Sequence, residues 1–201
     1  ACYAASKMVM PLSKIIVAVN TNDILDRFFR NNDYSKAKVD ETISPSMDIS
    51  VASNFERLLY DFYLDCDSNL CSKLYSKFPD ESINVNETIW KQSSDLFISY
   101  SSDDISTYKC MQFYYENYDY IMDPHTAVAA DAVKSLKNKL QGKTIILSTA
   151  HPAKFPSVLK NAGLSVSNIP NKLSEVLNKN EVAKKLSALD ESIFEYIKEN
   201  N

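Results

Sequence analysis

Glycine is nearly absent: the 201 residues contain only Gly142 and Gly163. A loop that cradles a phosphate with backbone N–H groups needs several closely spaced glycines, because the chain must approach the anion with no side chain between them. Two distant glycines exclude such a loop, so the chain holds no nucleotide or cofactor phosphate in a glycine loop of its own. Histidine is equally scarce, at 125 and 151 only, and the four cysteines at 2, 66, 71 and 110 never fall in a C-x-x-C pair. Cys66 and Cys71 are close in sequence, but a tetrahedral zinc site needs a tighter ligand cluster, so no metal is expected and the cysteines read as reduced and structural. A basic excess is missing too. The net charge of −4 and the pI near 5.3 argue against a nucleic-acid surface. No apolar run reaches the roughly 18 residues of a membrane helix. Residues 1 to 10 carry no basic lead before a long apolar core, so no signal peptide is read there.

What is present suits a soluble globular protein, 45% hydrophobic and 24% charged, long enough for one good-sized domain or one domain with an appendage. Residues 1 to 10 read as a helix already under way, with no N-cap before Ala4, Ala5, Met8 and Val9 and with Pro11 as its end. An uncapped first turn and no initiator methionine suggest a chain cut from something longer. The unbroken apolar run Ile15–Val19 reads as a strand in a central parallel position. Asn20-Thr21-Asn22-Asp23 follows, then a helix with Ile24, Leu25 and Phe28 on one face; this polar tetrad either caps the helix or lines a site at the sheet edge.

Ser53 with Glu56 has capping-box spacing, and Leu58, Leu59, Phe62 and Tyr63 continue an amphipathic helix. Ser72 to Phe78 is a further helical piece, residues 80 to 95 are weakly patterned with Ile89 and Trp90 buried, and Leu96 to Tyr100 is strand-compatible. Ser102 is placed to cap a helix carrying Ile105, Tyr108, Met111 and Tyr115 on one face. The rings at 113 to 120 have no basic residues among them, so packing explains them better than base stacking. Asp123-Pro124 is a cap followed by a proline at the first helical position. Val128, Ala132, Val133, Leu136 and Leu140 form the buried stripe, lysines follow near the end, and Gly142 stops the helix. His125, in the first turn, either lines a site or bonds locally.

The chain is organised around residues 143 to 156. Thr144 to Leu147 read as a short buried strand. Two hydroxyls, an imidazole, a proline and a lysine then crowd into Ser148, Thr149, His151, Pro152 and Lys154, and Pro156 opens a helix. Strand, polar loop and helix start is the layout in which α/β folds place ligand chemistry; the bland alternative is that Ser148 and Thr149 satisfy local backbone and His151 caps a turn. After Gly163 the chain turns lysine- and asparagine-rich, with two or three short amphipathic helices between 171 and 200 and Ile193, Phe194 and Ile197 as anchors.

Thr149-Ala150-His151-Pro152-Ala153-Lys154-Phe155 resembles the signature of threonine synthases of the longer bacterial and fungal type. Further stretches match in the same order: Ala18 to Phe28, Ser44-Pro45-Ser46-Met47-Asp48-Ile49, Ser53 to Leu59, and Asp123-Pro124-His125-Thr126-Ala127-Val128-Ala129. The resemblance covers about residues 1 to 160 and only the carboxyl-terminal part of such an enzyme.

It implies an α/β fold, the carboxyl-terminal part of a tryptophan-synthase-β-like (fold type II pyridoxal-phosphate) domain with few, mostly parallel strands and many helices. Residues 1–165 would belong to the large domain and 166–201 to a helical appendage packed on it. The family converts O-phosphohomoserine and water to threonine and phosphate in the cytoplasm. Its Schiff-base lysine and glycine-rich phosphate loop lie in an amino-terminal part outside these residues, so no catalytic residue is assigned here. Thr149 matches the hydroxyl that meets the pyridine nitrogen. Ser148, His151, Lys154, Asn20, Asn22 and Asp23 are candidates for lining the site. Alone, the chain is expected to be inactive and without cofactor, its partner being the amino-terminal half; the alternative is a non-catalytic remnant or interaction module that keeps the fold.

Overall fold

The computed structural model describes residues 1–64, 68–177 and 179–200; Cys66, and with it any pairing to Cys71, lies outside them. Residues Ala1–Val166 form one compact unit and Ser167–Asn201 a second.

The first unit holds two strands among the described residues, β1 (Ile15–Val19) and β2 (Phe97–Ser101), paired in parallel with Ile15 opposite Phe97 and Val19 opposite Ser101. The described residues of this unit also form α1 (Cys2–Lys7), α2 (Ile24–Asn31), α3 (Phe55–Tyr63), α4 (Ser68–Lys77), α5 (Glu87–Leu96), α6 (Asp104–Tyr118), α7 (Pro124–Leu136) and α8 (Pro156–Asn161). Both α2 and α7 pack along the two strands. Parallel neighbours need a crossover connection, and here β1 reaches β2 through α2 to α5.

The larger core is aromatic. Phe28 is fully buried and meets Phe55 edge-on at 4.6 Å between ring centres, Phe29 stacks on Phe97 at 4.9 Å, and Tyr34 stacks on Phe55 at 4.5 Å. Tyr34 also satisfies its hydroxyl, which donates to the Ala52 carbonyl and accepts the Ala52 N–H. Edge-to-face and offset pairs of this kind add to area burial. Trp90 packs at the rim of this core and donates its indole N–H to the Phe28 carbonyl. A smaller core joins Cys110 and Met111 of α6, Ala127 and Ala130 of α7, and Leu159 of α8, with Met122, Ala162 and Leu164. Burial there pushes the Cys110 thiol up to about 12.

Several sequence expectations are corrected. Thr144 to Leu147 is no strand: Ile145 is 75% exposed and Leu147 56% exposed, and only Ile146 turns inward onto the smaller core. The alternation is that of an extended segment, but no neighbouring strand among the described residues supplies a ladder. β1 likewise is not central; it has β2 on one side, and only Val19 of its residues is buried. α1 stops at Lys7, leaving Met8 and Val9 exposed. The capping box at Ser53 and Glu56 does not form. Asn54 holds the cap position of α3 without a side-chain bond, and the burial of Phe55 in the aromatic core fixes the helix start instead. Residues 87–96, weakly patterned in sequence, are helical, with the Asn86 side chain accepting the Ile89 N–H.

Asp103, not Ser102, caps α6, its carboxylate accepting the Ser106 N–H at 2.7 Å. Ser102 instead is buried and donates to Asp131 at 2.7 Å. The buried face of α6 is Thr107, Cys110 and Met111, while Ile105 and Tyr115 are exposed. Of the expected face only Met111 is buried, with Tyr108 partly so, and Thr107 joins it by bonding its hydroxyl to the Asp103 carbonyl. In α7 the expected cap holds at Asp123, and Val128, Ala132 and Leu136 are buried, but Val133 is only half-buried and the helix ends at Leu136, ahead of the expected stop at Gly142, so that Leu140 lies beyond it.

The second unit contains two helices among its described residues, α9 (Asn171–Leu177) and α10 (Asp190–Asn200), with the Lys184 ammonium 4.4 Å from the centre of the Tyr196 ring.

Candidate functional site

The carboxyl ends of the strands are bonded together. The Ser102 N–H donates to the Val19 carbonyl at 2.9 Å and the Ser101 hydroxyl to the Asn20 carbonyl at 2.8 Å. Asn20 is 1% exposed and spends its amide group on the following loop, donating to Thr42 Oγ1 (2.8 Å), Ser44 Oγ (3.0 Å) and Asp48 Oδ1 (2.8 Å). Its side-chain Oδ1 accepts from the Asn22 N–H at 2.9 Å, and the Asn22 side-chain amide donates to Asp48 Oδ1 and the Asp40 carbonyl. A buried amide left unbonded costs of order 1–3 kcal/mol, which is why such groups recruit a full set of partners. Asn20 and Asn22 therefore fold the 40–48 loop over the strand ends, and neither caps α2. Asp23 stands at the cap position of α2 without a capping bond and pairs with Arg27 at 2.9 Å.

The same loop is joined to the first turn of α7. The Ser46 N–H donates to His125 Nε2 at 3.1 Å, and His125 Nδ1 lies 3.0 Å from Asp123 Oδ1. Because Nε2 accepts, the ring proton is assigned to Nδ1, where it donates to the carboxylate. Asp123, 1% exposed, also accepts the N–H groups of His125 (3.0 Å) and Thr126 (3.4 Å), and it takes the Thr126 hydroxyl proton through its other oxygen. A carboxylate at a helix N-terminus is favoured both by those N–H groups and by the dipole.

From Thr126 the connection passes to the 149–155 loop, where the Thr149 N–H donates to Thr126 Oγ1 at 3.2 Å. The Phe155 ring lies 5.0 Å from the His125 ring. Within the loop, His151 is half-buried and its Nδ1 accepts the Ala153 N–H at 3.2 Å, capping a single 3₁₀ turn, Pro152–Lys154. Pro156 opens α8 as expected. The side chains of Ser148, Thr149 and Lys154 are exposed.

Of the sequence candidates, Asn20, Asn22 and Thr149 are thus brought into one connected polar region through residues 42–48 and the first turn of α7. His151 sits in the same loop as Thr149 but bonds locally, and Asp23 is taken up by its salt bridge. The sequence reading had left Thr42, Ser44, Asp48 and Thr126 without a role. A hydroxyl three residues after an aspartate cap, at Thr126, is the signal that was there to find.

A family model described as threonine synthase, C-terminal, matches residues 126–197. The threonine synthase of Pseudomonas aeruginosa is 35% identical over 180 residues, covering 89% of this chain and 38% of that protein. That of Saccharomyces cerevisiae is 35% identical over 217 residues, covering 98% and 42%. A crystal structure of PLP-bound threonine synthase from Brucella melitensis superimposes with a TM-score of 0.82 at 30% identity, over 98% of this chain and 42% of that one. The chain spans about two fifths of the length of these relatives. By sequence and by fold the chain matches the carboxyl-terminal part of threonine synthases.

Proposed function

We propose that this chain works as the carboxyl-terminal part of a cytoplasmic threonine synthase, which uses pyridoxal phosphate to convert O-phosphohomoserine and water to threonine and phosphate. The observation that carries the reading is Thr149: its hydroxyl stands exposed at the head of the 149–155 loop while its backbone is fixed through Thr126. When bound, the cofactor supplies the electron sink. Thr149 would hold it at the ring nitrogen. A neutral hydroxyl orients the ring by hydrogen bonding without imposing the proton that a carboxylate would hold there. Lys154 offers an ammonium, a point charge toward a phosphate, and Ser148 and His151 line the approach.

These residues fit one end of the cofactor. The phosphate end needs a close backbone approach, and neither glycine provides it: Gly142 (φ +77°) and Gly163 (φ +72°) serve turns, with open space where a Cβ would stand. The lysine and the phosphate loop come from the amino-terminal part, and the chain alone is inactive.

The test is to mix the purified chain with pyridoxal phosphate, then to repeat with an amino-terminal segment of a relative that carries the lysine and the glycine loop. The chain alone should give neither the visible absorption of lysine-bound cofactor nor phosphate release from O-phosphohomoserine, and the pair should give both. Activity in the chain alone would overturn its incompleteness. A complemented pair that binds no cofactor would overturn the enzymatic reading.

A further inference from the structure

We infer that Thr126 is a positioning residue: its hydroxyl, oriented by Asp123, sets where the Thr149 side chain points. The inference rests on Thr149 being the hydroxyl that meets the cofactor ring. Residues 141–150 contain no helix or strand, and among the described residues the bond from the Thr149 N–H to Thr126 Oγ1 is the hydrogen bond that holds this segment. The acceptor is itself fixed. Thr126 is 4% exposed, and its own proton goes to Asp123 Oδ2, so its lone pairs are left facing Thr149. Asp123 in turn is held by two backbone N–H groups and the His125 ring. A hydroxyl that donates one way and accepts the other transmits the helix start to the loop as a direction, which an isosteric valine cannot do.

Downstream, Phe155 against His125 fixes the far end of the loop by packing, which tolerates rotation of the peptide at 149. Register at Thr149 therefore depends on the polar contact. Removing it frees the φ and ψ of residue 149 and spreads its hydroxyl over several rotamers.

The experiment compares Thr126→Val and Thr126→Ser in the 201-residue chain. The readout is amide hydrogen exchange at Thr149, with Ala130 inside α7 as the control for global opening. Valine should speed exchange at Thr149 by roughly two- to tenfold beyond any change at Ala130, the worth of one hydrogen bond, and serine should restore it. Equal exchange in the valine variant and the parent overturns the inference, as does serine failing to restore protection while Ala130 stays protected.

In the holoenzyme carrying this chain, the absorption and fluorescence of bound pyridoxal phosphate should shift in Thr126→Val and in Thr149→Val, but not in Thr126→Ser. A shift in Thr149→Val that Thr126→Val lacks removes the inference alone. No shift in Thr149→Val removes the reading beneath it.

Discussion

Replacing Asp123 by alanine is the sharpest perturbation of the polar region. The substitution removes the cap of α7, worth about 1 kcal/mol for an average helix. It also strips the acceptor from the His125 ring N–H and from the Thr126 hydroxyl, both in residues under 10% exposed. Each orphaned buried donor costs about 1–3 kcal/mol. The desolvation cost of burying the carboxylate is relieved at the same time and offsets part of this. The net loss should be about 3 kcal/mol. With a urea slope of about 2 kcal/mol per molar for a domain of this size, the midpoint falls by about 1.5 M. Asp123→Asn keeps an acceptor for the ring and the backbone, and the Thr126 hydroxyl can turn to accept from the new amide, so it should cost about half as much. The assay is a urea titration followed by fluorescence of Trp90, the sole tryptophan, at the rim of the larger core. An alanine variant whose midpoint lies within about 0.3 M of the parent at unchanged slope would refute the view that Asp123 secures this region.

Asn20→Ala removes the donor shared by Thr42, Ser44 and Asp48; it should cost about 2 kcal/mol and speed protease cleavage between residues 40 and 48, and an unchanged cleavage pattern would count against the network. Cys110, with its thiol raised to about 12 by burial and then by Asp131, should resist iodoacetamide at neutral pH until urea unfolds the chain, as peptide mass mapping would show. Asp61 is held below its ordinary value first by the Tyr3 hydroxyl and then by Lys7. A depressed folded value means its contribution is present above the unfolded value of 3.8 and is lost as pH falls through the folded one. Acid should therefore destabilise the chain below the ordinary carboxylate range, and Tyr3→Phe should flatten that slope in acid titrations followed by Trp90.

How much was legible follows from where each signal lives. The Asp123-Pro124 start of α7 is local chemistry, a side chain bonding N–H groups two and three residues on, so spacing reveals it. The helix from Pro156 is equally local, whereas Ile15–Val19 is a strand because Phe97–Ser101 lies beside it. Ser53 and Glu56 have the right spacing for a cap and do not make one, because burial of Phe55 decides where α3 begins. Thr144 to Leu147 has strand-forming residues, yet a strand exists only where a neighbour accepts its hydrogen bonds, and that information is not in the segment. For the site, the resemblance carried by residues 149–155 singled out Thr149. The links that fix it, from Ser46 to His125 and from Thr126 to Thr149, join residues 79 and 23 apart, and no spacing rule reaches so far.

The two cores of the first unit give this region an unusual mechanical setting. Residues 42–48 run on into Val51 and Ala52 at the aromatic core, whereas residues 149–155 run on into Leu159 at the smaller, alanine- and methionine-rich one. One half of the site thus rides on a block of packed rings and the other on a patch of smaller side chains. The opening turn of α7 bonds to both, through Ser46 to His125 on one side and Thr149 to Thr126 on the other, so a disturbance there reaches both halves of the site at once.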